Sequence, residues 1–193
     1  MSRRRLMLPL VAFVISVIAF GVAWFAFDPM QDTATSAIGG PFTLTAQDGR
    51  TVTERDMQGG PSLVFFGFTH CPDVCPTALY EIGLIYKALG ADGDRLKTYF
   101  ITVDPERDTP SVIKDYLSGF DPRITGLSGT PEAVLAAEKA YRAYAKKVPL
   151  ETGGYTMDHT AVIYLMNRKG LFLSSLNIDL PPEENAKLIA KSF

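Results

Sequence analysis

Residues 62–76 read SLVFFGFTHCPDVCP, and this stretch contains the only two cysteines of the 193-residue chain. The apolar run 62–66 has the length of a buried strand, and residues 77–89 have the pattern of a helix. A strand, a cysteine loop and a helix therefore follow one another directly. Cys71 and Cys75 are four residues apart, which at the entry to a helix places both sulfurs on one face.

A cysteine pair of this kind suits a metal site, a redox couple or a structural disulfide. Closing a loop of about five residues restricts the unfolded chain by only ~2 kcal/mol, less than a ~15-residue loop does. A domain of about 160 residues also buries an adequate core without cross-links. The sequence therefore favours a metal site or a redox couple, and leaves the choice between these two open.

The N-terminal segment has the composition of a membrane anchor. Residues 6–27 carry no charged side chain, and about 20 helical residues are enough to span the hydrocarbon core of a bilayer. Three arginines at residues 3–5 precede this run, whereas Asp28 and Asp32 follow it. This charge order predicts a cytoplasmic N-terminus and an exported C-terminal part. A cleavable signal peptide has the same order of basic and apolar segments and stays an alternative.

The chain is accordingly divided into a basic cytoplasmic start (1–5), a transmembrane anchor (6–27), a tether (28–40) and one domain (41–193). The basic start is too short for an amphipathic mitochondrial presequence. We therefore expect a single-pass protein of a bacterial inner membrane, with its C-terminal domain in the periplasm. Three of the 19 basic residues lie before the anchor, so 16 basic and 21 acidic residues follow, a net charge of −5. A mildly acidic domain is a poor candidate for binding nucleic acid.

Strand and helix patterns alternate within the domain. Strands are predicted at 42–45, 51–53, 62–66, 98–103, 159–166 and 171–175, and helices at 77–89, 110–118, 131–147 and 182–192. Asp48-Gly49 is a strong hairpin signal, and Thr109 and Thr130 are natural N-caps because a proline follows each of them. The helix 131–147 carries an apolar stripe made of Val134, Leu135, Ala137, Tyr141 and Tyr144.

This order of elements predicts an α/β fold: a thioredoxin-like three-layer domain with a mixed sheet and an N-terminal β-hairpin, preceded by one transmembrane helix. Three motifs then resemble the successive signatures of the Sco/SenC family. They are GFTHCPDVCP at 67–76, VDPERDTP at 103–110 and the pair Asp158-His159. The resemblance extends over nearly the whole chain, from the anchor to the last helix.

The Sco/SenC family comprises membrane-tethered thioredoxin-fold proteins that carry copper to the binuclear copper site of cytochrome c oxidase. The resemblance implies that Cys71, Cys75 and His159 bind a copper ion. It also implies a copper-site subunit of the oxidase as a partner, together with other copper chaperones or thiol reductants.

Coordination chemistry agrees with this ligand set. Two thiolates and one imidazole form a soft site of low coordination number, which favours Cu(I) and also holds Cu(II), whereas structural zinc normally takes four ligands. In thioredoxin-like domains the loop before the penultimate hairpin approaches the cysteine loop, so His159 can reach both sulfurs. Gly153-Gly154 would let that loop move during uptake or release of the metal.

The sequence predicts structural roles for the remaining polar residues of the motifs. His70 should diverge from the sulfur face because it adjoins Cys71, and is expected to hydrogen-bond or to pack under the loop. Asp73 is expected either to orient the loop through hydrogen bonds or to be a solvated turn residue. Carboxylates are hard ligands, mismatched to Cu(I), so turn or cap roles are expected for Asp104, Asp108 and Asp158.

Two functions remain at this stage. One is a metallochaperone, which is not an enzyme. The other is a thiol-disulfide oxidoreductase, in which Cys71 and Cys75 would be the catalytic pair. Dithiol oxidoreductases usually have two residues between their cysteines and need no third ligand such as His159. The sequence therefore favours copper delivery, with reduction of the oxidase copper-site cysteines or other exported thiols as the alternative.

Overall fold

A computed structural model describes residue 16 and residues 38–193 of the chain. The predicted basic start and nearly all of the predicted anchor and tether lie outside the described residues. No helix in the described part has both the length and the apolar character needed to cross a membrane.

The strands in the described part are, in chain order, β1 (Thr43–Ala46), β2 (Thr51–Thr53), β3 (Ser62–Gly67), β4 (Lys97–Thr102), β5 (Ile124–Ser128), β6 (Ala145–Pro149), β7 (Tyr155–His159), β8 (Ile163–Met166) and β9 (Phe172–Leu176). Seven of them form one sheet in the order β2-β1-β5-β4-β3-β8-β9, while β6 and β7 pair separately. β4 is parallel to β3 and β5, and the other pairs are antiparallel. The sheet is therefore mixed and opens with the predicted N-terminal hairpin.

Three α-helices connect these strands, α1 (Val74–Leu89), α2 (Pro110–Leu117) and α3 (Pro131–Tyr141), and α4 (Pro182–Ala190) follows β9. α1 packs against α4, α2 against β5, and α3 against β1. Thr109 and Thr130 both cap their helices as predicted, since each hydroxyl accepts a backbone N–H three residues later, at 3.4 and 3.2 Å.

β3 lies near the centre of the sheet and positions the cysteine loop. All six of its residues are buried, and so is Phe68, which follows it. β3 has a parallel neighbour, β4, on one edge and an antiparallel neighbour, β8, on the other. A strand that is buried on both faces requires such a continuous apolar run. The cysteine loop leaves the carboxyl end of this strand, at the edge where ligand sites of parallel sheets commonly lie.

The predicted helix over 131–147 was wrong at its C-terminal end. α3 stops at Tyr141 because Arg142 has a left-handed backbone with φ of 53°. Ala145–Pro149 is then the extended strand β6, and the side chain of Tyr144, predicted to continue the apolar stripe, is 52% exposed.

The predicted strand over 159–166 was also wrong, because it joins two strands of different sheets. His159 ends β7, and β8 begins only at Ile163. β5 was not predicted at all. The correction matters for the site, because His159 belongs to the two-stranded β6–β7 hairpin and not to a loop.

Candidate metal centre

Three sulfur and nitrogen ligand atoms converge at the carboxyl end of β3. Cys71 lies in the loop after β3 and is partly buried, Cys75 is the second residue of α1 and is fully buried, and His159 ends β7. Their ligand atoms all lie within 4.8 Å of one another. The structure therefore brings together the three residues named from the sequence, although 84 positions separate Cys75 from His159.

The geometry fixes which imidazole nitrogen faces the sulfurs. His159 Nε2 lies 3.5 Å from Cys75 Sγ, while Nδ1 lies 3.1 Å from the carbonyl oxygen of Thr160. A carbonyl only accepts hydrogen bonds, so Nδ1 carries the proton and the lone pair of Nε2 points towards the sulfur. A metal-ligating histidine normally donates its second ring N–H in this way.

The start of α1 hydrogen-bonds the sulfur of Cys71. The backbone N–H of Cys75 donates to Sγ of Cys71 at 3.4 Å. Both cysteines are free thiols in this structure. The sulfurs lie within 4.8 Å of each other, but Cys71 precedes α1, so the loop and not a turn of the helix brings it beside Cys75. No disulfide joins them.

Burial sets the protonation of the metal-free site. It raises the pKa of the Cys75 thiol above its ordinary value, so this cysteine is protonated at neutral pH. Burial also lowers the pKa of His159, against the opposing effect of the Thr160 carbonyl, so the imidazole is neutral. A soft cation entering the site would therefore find a ready imidazole ligand and would displace the proton of the buried thiol.

Two aromatic rings of the core contact the imidazole of His159. Phe68 meets the ring of His159 edge-on, with centroids 5.6 Å apart and an interplanar angle of 89°. Phe65 meets the same imidazole at 6.5 Å and 67°. These contacts exclude water from one side of the site and restrict rotation of the His159 side chain.

Asp108 anchors the cysteine loop from below. Its buried carboxylate accepts the backbone N–H of Thr69 at 2.9 Å and the Thr69 hydroxyl at 2.6 Å. It also accepts the hydroxyl of Thr102, at the end of β4, at 2.7 Å. Three donors share one carboxylate, which fixes the position of the cysteine loop relative to the end of β4.

The other polar residues of the motifs do not join the ligand set. His70 is exposed, with Nδ1 3.1 Å from the Thr69 hydroxyl, and is absent from the group of metal-ligand atoms found among residues 38–193. Asp73 precedes α1 without a side-chain capping bond, and Asp158 is exposed on β7. Asp104 and Asp108 are buried, and Thr109 is the residue that caps α2.

Comparison with known proteins shows to which family the chain belongs. The SCO1/SenC family model matches residues 30–193. The chain belongs to the SCO1/SenC family. Among SCO1/SenC proteins, Protein SenC of Rhodobacter capsulatus is 42% identical over 151 residues, 78% of this chain and 68% of SenC. The mitochondrial SCO1 homolog 1 of Arabidopsis thaliana is 42% identical over 133 residues, which are 68% of this chain but only 40% of the plant protein.

The fold is also that of solved SCO1/SenC structures. The copper-bound structure of Bradyrhizobium japonicum ScoI superposes with a TM-score of 0.78 at 54% sequence identity, covering 81% of this chain and 99% of that one. This similarity supports the mixed α/β assignment for the SCO1/SenC domain.

Sequence reasoning about this SCO1/SenC site missed the depth at which Asp104 and Asp108 are buried. Both lie in the segment that directly follows β4, at the same sheet edge where β3 delivers the cysteine loop. β3 and β4 are parallel neighbours, so the segment after β4 is expected to lie beside the cysteine loop after β3. That position was the signal for an anchoring role.

Proposed function

We propose that this protein binds copper through Cys71, Cys75 and His159 and delivers it to the binuclear copper site of cytochrome c oxidase during assembly. The observation that carries the proposal is the convergence of two thiols and one imidazole within 4.8 Å. It is supported by membership of a family that includes a copper-bound structure 54% identical to this chain.

The donor set fits copper chemically. Thiolate sulfur and imidazole nitrogen are soft or borderline ligands, and three of them suit the low coordination numbers of Cu(I). Cys71 is partly exposed whereas Cys75 is buried. An acceptor thiolate would therefore approach from the side of Cys71, and the ligands would exchange one at a time.

We further propose that the chain is anchored in a bacterial inner membrane and works on its periplasmic side. The uncharged run 6–27 and the arginines at residues 3–5 support this arrangement. The proposed partners are the copper-site subunit of the oxidase, and copper donors or thiol reductants that keep the cysteines reduced.

Metal binding is tested with the reduced full-length protein. Cu(I) affinity is measured by competition with a chelator for the wild type, for His159→Ala and for His70→Ala as the matched control. We expect one Cu(I) per chain, an affinity at least tenfold lower for His159→Ala, and no change for His70→Ala. Unchanged binding by His159→Ala would remove the imidazole from the site.

Delivery is tested by mixing the copper-loaded protein with a purified, metal-free copper-site subunit of the oxidase. The expected result is the appearance of the subunit's binuclear copper spectrum together with loss of copper from the donor. If no copper moves while thiol exchange proceeds, the function is redox chemistry instead.

Thiol-disulfide exchange is the second candidate, favoured by one observation. Cys71 and Cys75 are free, adjacent and unequally exposed, as an attacking and a resolving thiol require. The Cys71 thiolate would attack a partner disulfide and release one partner thiolate. Cys75 would then attack the mixed disulfide, which releases the second partner thiolate and leaves Cys71 and Cys75 oxidised. Comparing the rate of partner reduction by metal-free wild type and Cys71→Ser measures this activity.

A further inference from the structure

The segment 104–108 contacts both parts of the candidate metal site. Its C-terminal end, Asp108, holds the cysteine loop through Thr69, as described above. Its N-terminal part faces the β6–β7 hairpin, which carries His159 at its end. One short segment after β4 therefore contacts both the cysteine loop and the hairpin that carries His159.

Tyr155 is the residue of the hairpin that this segment binds. The Tyr155 hydroxyl donates to the carboxylate of Asp104 at 2.9 Å. Arg107 Nη1 donates to the backbone carbonyl of Tyr155 at 3.1 Å, and its guanidinium carbon lies 3.9 Å from the centroid of the Tyr155 ring. Both the side chain and the backbone of one tyrosine are therefore fixed.

The charged groups of this contact are themselves held in place. Asp104 is fully buried and its carboxylate also accepts Nε of Arg107, which neutralises both charges. Lys147 on β6 pairs with Glu106 at 2.5 Å and lies 4.7 Å from the Tyr155 ring centroid. The tyrosine ring is thus contacted by cations from the segment and from the neighbouring strand.

Strand geometry connects Tyr155 to His159. Residues four apart in a strand lie on the same face, and β7 pairs with β6 along its whole length. A second route runs through the core, because the Arg107 guanidinium lies 6.0 Å from the Phe68 ring centroid and Phe68 meets the imidazole edge-on.

We propose that Tyr155 and Arg107 are positioning residues that hold His159 at the distance from Cys75 needed to complete the metal site. They touch no ligand atom and act through the β7 backbone and Phe68. Without them, the hairpin stays attached at its base, where Thr160 N–H donates to the Tyr144 carbonyl at 2.9 Å. The part of β7 that carries Tyr155 then loses its contacts with the segment 104–108, and the strand that presents His159 is less firmly held. This inference rests on the proposed copper site.

The test is a double-mutant cycle on Cu(I) affinity in the full-length protein. Tyr155→Phe removes the hydroxyl but keeps the ring and its cation contacts. We expect it to weaken Cu(I) binding about threefold to tenfold in the wild-type background and to have no effect in His159→Ala, where the imidazole is already absent. Tyr80→Phe is the matched control, because Tyr80 lies on α1 with 61% of its surface exposed.

Arg107→Lys supplies a second variant that retains the positive charge beside Asp104. A lysine lacks the planar fork that reaches Asp104 and the Tyr155 carbonyl together, so the same background-dependent loss of affinity is expected. A loss of equal size in His159→Ala would show that these residues act on overall stability, and would overturn the proposal.

The metal-free protein provides a readout that does not depend on copper. In nuclear magnetic resonance, the Nδ1 proton of His159, bound to the Thr160 carbonyl, should exchange with solvent at least threefold faster in Tyr155→Phe than in wild type or Tyr80→Phe. Equal exchange rates in all three proteins would overturn the positioning role. Failure of the wild type to bind copper would instead overturn the proposed function while leaving this measurement informative.

Discussion

Gly67, the last residue of β3, lies where a side chain would collide with the metal site. A methyl group on its Cα would lie 2.7 Å from a ring carbon of Phe100, 3.0 Å from Cys75 Sγ and 3.2 Å from a ring carbon of Phe65. We expect Gly67→Ala to lower the free energy of unfolding by about 1–3 kcal/mol, since both phenylalanine rings are buried in the core. Cu(I) affinity should fall as well, because the clash displaces a sulfur ligand.

Gly83→Ala is the matched control for this residue-scale prediction. Gly83 lies inside α1, and the nearest atom to an added methyl group is Cβ of Asp121 at 3.8 Å. Replacing a helical glycine by alanine should raise the free energy of unfolding by roughly 0.5–1 kcal/mol. Urea denaturation measures both variants. Equal stability changes for Gly67→Ala and Gly83→Ala would show that β3 can shift to admit a side chain.

At the scale of elements, the cysteine loop depends on the segment after β4 as much as on its own residues. Asp108→Asn keeps one carbonyl oxygen, but it replaces the other oxygen by an NH₂ group that cannot accept from Thr69 or Thr102. We expect the free energy of unfolding to fall by about 1–3 kcal/mol. Hydrogen exchange at the Thr69 amide should also become faster.

The exposed Asp158 provides the comparison for that change. Asp158→Asn on β7 should leave both the unfolding free energy and the Thr69 amide exchange close to wild type, because substitutions on an exposed face usually change stability by less than about 0.5 kcal/mol. If the Thr69 amide of Asp108→Asn exchanges its hydrogen as slowly as that of wild type, other contacts hold the cysteine loop.

Local sequence signals explain which elements could be predicted. The hairpin β1–β2, the apolar strand β3 and the proline-started helices have strong signals in their own residues. β5 does not, because Gly126 interrupts its pattern. An added methyl group at Gly126 would lie 2.1 Å from Ile113, so α2 packs directly on the strand at this point. The close packing of α2 is what requires a glycine at position 126, and the sequence of β5 alone does not reveal that packing.

The β6–β7 hairpin was missed for a related reason. β6 reads AKKVP and is exposed or partly exposed throughout, so it has no apolar alternation to mark it. The helix before it ends at Arg142 in a left-handed conformation that is usually signalled by glycine. Motifs thus predicted Cys71, Cys75 and His159 as candidate ligands, which the structure brings together, whereas the pairing that presents His159 is decided by contacts distant in sequence.

At the scale of the whole molecule, the free energy of unfolding should depend on pH through Glu138, a buried carboxyl outside the candidate metal site. Glu138 on α3 is only 8% exposed, and burial raises its pKa from 4.5 to about 7. It borders a cavity of about 220 Å³ whose other charged lining residues are Asp104, Glu106, Lys146 and Lys147.

The direction of the pH effect follows from proton linkage. Between pH 4.5 and about 7 the unfolded chain releases the Glu138 proton while the folded protein keeps it, so stability falls as pH rises through this window. Glu138→Gln stays neutral and should therefore match the wild type below pH 4.5 and exceed it at pH 8. We expect an excess of about 1 kcal/mol, less than the full shift implies because some solvent contact remains. Glu132→Gln lies in the exposed first turn of α3, where a backbone hydrogen bond lowers the carboxyl pKa. This variant should instead be less stable than wild type by a constant amount above pH 4.5, and the difference should vanish as the pH falls below 4.5. Urea denaturation of the three proteins from pH 3 to pH 8 measures the differences, and a pH-independent offset for Glu138→Gln would show that this carboxyl is solvated in the folded state.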